Sequence, residues 1–149
     1  MSIIKDIVDE IKDVSKSAIT ISKIRKALIL ELKLNLNFLN DFSKKNLRPS
    51  DEELIKTIKQ LRITEIEAAI KCQFPTNILS DKKVTQSLLG SIRAERTVGN
   101  DIETMLDKLF LMISYIKDAY DKKGVKLFVR LRNIYFYHRI ALRLLEENK

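Results

Sequence analysis

Residues 100–124, NDIETMLDKLFLMISYIKDAYDKKG, decide the fold. Ile102, Met105, Leu109, Met112, Ile116 and Tyr120 recur at steps of three and four, flanked by Leu106 and Ile113. That spacing lays one apolar face along a helix of 3.6 residues per turn. Asn100 or Asp101 offers a side-chain oxygen to the unpaired amides at the start. Gly124 stands where a chain leaving a helix turns left-handed. Between these two signals a helix is predicted.

The same pattern runs outward in both directions. Downstream, a final helix is expected from about Val125 to Glu147. Upstream, Ser50 and Glu53 form a capping box, in which hydroxyl and carboxylate each accept an otherwise orphaned amide. From there Leu54, Ile58, Leu61, Glu65, Ala68 and Cys72 trace one face, with an interruption near Arg62 to Thr64 and an end at Phe74-Pro75. Ser80 is read as the cap of a third segment reaching Leu89. The polar stretch between Gly90 and Gly99, with Arg93, Glu95 and Arg96, fits either helix or loop.

Glycine and proline together occupy five of the 149 positions, and none falls between Ser2 and Lys45. Nothing there forces a break, so a long N-terminal helix is expected, with a weak patch at Ser15, Ser17, Thr20 and Ser22. Within it Ile4, Ile7, Ile11, Val14 and Ala18 form a heptad seam that requires a facing helix, from this chain, a second copy or another protein. Farther on, Ile24, Leu28, Leu32, Leu36 and Leu39 share the cylinder with Ile29, Leu30, Leu34 and Phe38, the signature of a central helix. Glu31 and Asn35 form a polar pair inside this apolar segment. Buried polar groups require partners, and Arg130, Arg132 or Asn133 of the last helix are the expected source. The fold expected is all-α: one antiparallel bundle domain of four to five helices spanning 1–149, with residues 1–20 as the segment that could project to meet a partner or a second copy.

Composition excludes several classes. No apolar run approaches the roughly 20 residues that cross a bilayer, and Lys5, Asp6, Asp9 and Glu10 interrupt any leader, so the chain reads as soluble and cytoplasmic. The lone Cys72 cannot form an intrachain disulfide, and with one histidine no metal site is expected. No cofactor motif is present. The net charge of +8 is uneven: residues 122–149 carry eight basic side chains against Glu146 and Glu147, while residues 1–20 sum to about −1. Such asymmetry attracts acidic partners or nucleic acid.

Two constellations on the last helix carry the functional candidates. Arg132, Arg139 and Arg143 lie within about 40° of one another, with Phe136 between them, forming a basic stripe suited to acidic side chains or to a phosphate backbone. His138 sits near the middle of the arc of Leu127, Leu131, Ile134, Tyr135, Leu142 and Leu145, which points it at the core. There a neutral imidazole is tolerated if both ring nitrogens find partners. Arg132-Asn133 followed by His138 also resembles the motif of HEPN-type ribonucleases, which are small all-helical domains. The resemblance spans residues 132–138. It implies that His138 assists proton transfer from an attacking 2′-hydroxyl and that Arg132 holds the scissile phosphate, usually at a dimer interface. Arg132 projects about 120° away from His138, so the two would reach one phosphate only across such an interface. The reading favoured by the whole chain is a non-enzymatic helical interaction or assembly subunit. Its partner is a protein or a second copy, with ribonuclease and nucleic-acid binding as alternatives.

Overall fold

The computed structural model describes residues 2–10, 18–44, 48–71 and 76–146. These form α1 (Ile3–Glu10), α2 (Ala18–Phe38), α3 (Asp51–Gln60), α4 (Thr64–Lys71), the single turn α5 (Gln86–Leu89), α6 (Ile102–Ala119) and α7 (Leu127–Glu146). Among the described residues there is no strand, only a bridge between Lys83 and Asp101. No helix among them is long and apolar enough to cross a membrane.

Local chemistry accounts for most of the boundaries. The Asp101 side chain accepts from Thr104 N at 2.9 Å and starts α6, and that amide bond holds the carboxyl below its ordinary range. Gly124 takes φ +83 in the turn before α7, a conformation that strains any residue bearing a Cβ. Ser50 Oγ accepts from Glu53 N at 3.3 Å and donates to Glu53 Oε1 at 3.2 Å. α3 ends at Gln60 and α4 begins at Thr64, so the interruption expected near Arg62 is present.

Two expectations are corrected, and one open reading is resolved. The N-terminal region is not one long helix, because α1 folds back to pack on both α2 and α4. Ser80 does not start a helix. The chain runs extended through Val84, whose N–H donates to Asn100 O and whose carbonyl accepts from Gly99 N, and Thr85 caps the one-turn α5. The stretch between Gly90 and Gly99 contains a 3-10 turn at Glu95–Thr97.

α6 and α7 pack along each other, and α7 also covers α2 and α3. Their apolar side chains form two clusters. One gathers Ile4, Ile24, Leu28 and Leu32 with Ile66, Met105, Leu109, Ile140 and Leu144. The other gathers Leu39, Leu54 and Ile58 with Ile113, Ile116, Leu131 and Ile134. Between them lie two buried polar side chains, Asn35 and His138, each fully shielded from solvent. Burying a Leu or Ile side chain contributes roughly 1.5–3 kcal/mol, so these clusters supply the main driving force.

A candidate interaction face on the last helix

The sequence places Phe128, Arg132, Tyr135, Phe136, Arg139 and Arg143 on one side of α7. In the structure this side meets the turn after α2. Phe42 meets Phe128 at a tilt with ring centroids 5.2 Å apart and stacks at 6.3 Å on Tyr135, which in turn lies 5.7 Å from Phe136. Arginines border these rings. The Arg48 guanidinium sits 4.7 Å above Phe128, and that of Arg139 sits 5.6 Å from Tyr135. On the neighbouring side Arg130 lies 4.3 Å from the exposed ring of Tyr115 on α6. A ring face attracts a cation by about 0.5–1 kcal/mol at exposed sites, enough to hold the head group without consuming its N–H donors.

The four residues of the expected stripe have different roles. Arg132 is exposed, and Arg139 is half-buried against Tyr135. Phe136 is half-buried and touches both apolar clusters. Arg143 turns inward, and its Nη1 donates to Leu88 O at 2.7 Å and Leu89 O at 2.9 Å, closing the end of α5. Sequence reading missed Arg48 and Phe42, which come from a segment far away in the chain. Their only local signal was the helix-stopping Arg48-Pro49 pair.

Among the described residues, Arg48, Arg130, Arg132 and Arg139 make no ion pair. The Lys33–Glu146 pair, 3.0 Å apart, and the Glu67–Lys71 pair lie elsewhere. This side of the molecule therefore presents cations that no carboxylate among the described residues pairs with directly.

His138 is placed differently from Arg132. It is fully buried, its Nδ1 donates to Ile134 O at 2.8 Å, and its Nε2 accepts from Asn35 Nδ2 at 2.9 Å. Both nitrogens are engaged, which fixes the neutral tautomer. Desolvation pushes its pKa down to about 4, against a smaller opposing effect of the Ile134 carbonyl. The structure does not bring His138 and Arg132 together, and the imidazole has no exposed edge for a 2′-hydroxyl.

The partners of Glu31 and Asn35 also differ from those expected. Asn35 reaches α7 through His138 rather than an arginine, and it brackets the α3–α4 junction through Arg62 N (2.8 Å) and Arg62 O (2.7 Å). Glu31 Oε2 accepts from Glu65 N and Ile66 N, both at 2.9 Å. It thereby caps α4 from another helix, where Ile63, the residue ahead of α4, has no side-chain acceptor. Desolvation raises the Glu31 pKa and the nearby Glu65 carboxylate adds to the rise, while the amide bonds oppose it. Glu65 repeats the device one step farther on. Its carboxylate accepts from Ile3 N (2.9 Å), Ile4 N (3.0 Å) and Ser2 Oγ (2.5 Å), and so caps α1.

In the heptad seam, Ile4 is fully buried in the chain's own core and Ile7 is half-buried against it. The facing helices for this part of the seam are α2 and α4 of the same chain. Ile11 and Val14 lie outside the described residues, as does Cys72, and the same holds for the side chain of Ala18. Among the described residues no group of three or more His, Cys, Asp or Glu is arranged to hold a metal ion. Compared with known protein families, curated proteins and solved structures, the chain matches none.

Proposed function

We propose that the protein is a non-enzymatic interaction subunit that docks an acidic segment of another protein on the arginine-bordered aromatic side of α7. The observation that carries this reading is that Arg48, Arg132 and Arg139 share one side of the molecule, two of them held over rings, with no carboxylate of the described chain paired to them. Cations arranged in this way are short of counter-charge that a partner can supply. The supporting framework is an antiparallel bundle centred on α2, α6 and α7, a reading favoured by the pairs Lys33–Glu146, Phe42–Phe128 and Tyr115–Arg130.

Charge argues for a foreign partner over a second copy. A two-fold contact through this side would set Arg132 and Arg139 against themselves in a chain already at +8. The burial of His138 removes the group that the ribonuclease resemblance needs for proton transfer, which favours binding over RNA cleavage.

Affinity capture with the wild-type chain and with an R132E/R139E variant tests the reading. The wild type is expected to retain an acidic protein that elutes with salt, and the variant to lose it while keeping its melting temperature. Sedimentation at several concentrations should show a monomer. Retention of nuclease-sensitive nucleic acid in place of protein, or equal capture by the charge-reversed variant, overturns the proposal.

A further inference from the structure

A second cationic feature lies where α2, the α3–α4 junction and α6 line an open cleft of about 560 Å3. Its lining residues include Phe38, Gln60 and Thr64, together with three cationic residues, Lys59, Arg62 and Lys117. Among the described residues no carboxylate lines it. Its volume falls within the range of small-molecule sites.

Each cation is positioned independently. Lys117 reaches across from α6 to the end of α3, where its Nζ donates to Ile58 O at 3.0 Å and more weakly to Lys59 O at 3.5 Å. An ammonium has three donors, so one remains for a ligand. Partial burial lowers the Lys117 pKa, and no nearby carboxylate offsets this. The Lys59 ammonium is held 5.7 Å from the Tyr120 ring. Arg62 is fixed at its backbone, where N and O both bond to Asn35, while its exposed side chain is left to act at the rim.

We propose that this cleft binds a small molecule carrying a di- or triphosphate. Three cations around one cleft call for a ligand with several negative charges. A planar guanidinium fork beside two ammonium point charges is a donor set that suits phosphate oxygens. Gln60 and Thr64 are neutral polar residues on the same lining, and Phe38 is an apolar one. The lining shares no residue with the α7 face, and the inference does not depend on that reading.

Titration of the full chain with inorganic pyrophosphate, at constant ionic strength, tests this. Pyrophosphate and ATP are expected to bind saturably and raise the melting temperature, whereas adenosine has no effect. Loss of Arg62 or Lys59 should each weaken pyrophosphate by roughly tenfold or more, the usual size of a charge-assisted hydrogen bond. The Arg62 and Lys59 side chains are exposed, so the unliganded melting temperatures of R62A and K59A should stay near wild type and serve as the folding control. The proposal is overturned if pyrophosphate produces no shift. It is equally overturned if the K59A/R62A double variant binds as the wild type does, or if citrate binds as tightly as pyrophosphate.

Discussion

Asn35 and His138 meet across the core of the molecule, Nδ2 to Nε2 at 2.9 Å, although 103 positions separate them in the chain. The contact ties α2 to α7 and lies between the two apolar clusters. Because the imidazole accepts this bond only while neutral, protonation breaks it and places a charge in the interior.

Stability should accordingly fall on acidification. The unfolded histidine takes up its proton near pH 6.5 and the folded one near 4, so the stabilisation is present above pH 6.5 and lost as the pH falls through that window. The full loss is about 3 kcal/mol below pH 4. His138→Leu removes the titration and leaves one N–H of Asn35 unpaired. Urea unfolding of this variant should show lower stability at pH 7, by about 1–3 kcal/mol, and a flatter dependence between pH 6.5 and 4.

Glu31 contributes with the opposite sign. Its raised folded pKa means that the proton is held more tightly in the native state, so its contribution favours folding at low pH and is lost as the pH rises from 4.5 through the folded value. Both amides that it caps bond to one oxygen, which the amide oxygen of glutamine can replace. Glu31→Gln should therefore keep or raise the melting temperature at pH 7 and make the acid-induced loss from His138 steeper. Glu31→Leu strands two buried amides and should cost about 1–3 kcal/mol for each. An unchanged melting temperature in the leucine variant would show that the cap contributes nothing.

Capping in series gives a nested pattern of opening. Glu65→Ala removes the acceptor for Ile3 N and Ile4 N, so hydrogen exchange in α1 should accelerate while α6 and α7 stay protected. Glu31→Ala acts one step earlier and should accelerate exchange at the start of α4 and in α1 together. Acceleration confined to α4 would mean that the two caps are uncoupled.

The arginines of α7 should separate by stability. Arg143→Ala removes two charge-assisted bonds to the end of α5 and should destabilise by about 1.5–3 kcal/mol. Arg132→Ala, at an exposed position, should stay within about 0.5 kcal/mol of wild type. Thermal unfolding of the two variants checks this division between structural and available cations.

Sequence carried the parts of the fold that depend on neighbouring residues. Ser50 and Asp101 act within a few positions of themselves and cap the helices their local signals indicated, whereas Gly124 is left-handed but lies beyond the C-cap Tyr120, in the turn before α7 rather than at the end of α6. The packing of α1 onto α2 and α4 was signalled only by the weak helix formers Ser15, Ser17, Thr20 and Ser22, since no glycine or proline lies in that region. Ser80 was mistaken for a cap because the extended path through Val84 is imposed by Asn100 and Gly99, which lie well beyond any local window. Glu31 and Asn35 were recognisable as polar residues in an apolar helix. Their partners were not, because backbone amides, which every residue except proline carries, leave no mark in a sequence. The same limit hid Arg48 and Phe42 from the reading of α7.

The polar seam of Asn35 and His138 also partitions the interior. Side chains on its two sides, such as Leu28 and Ile58, belong to different clusters, so substitutions in one should leave the packing of the other undisturbed and their energetic effects should sum. Met112 and Phe136, which touch both clusters, are where that independence should fail. A lineage of such proteins could thus rebuild either half of its interior while leaving the other as it was.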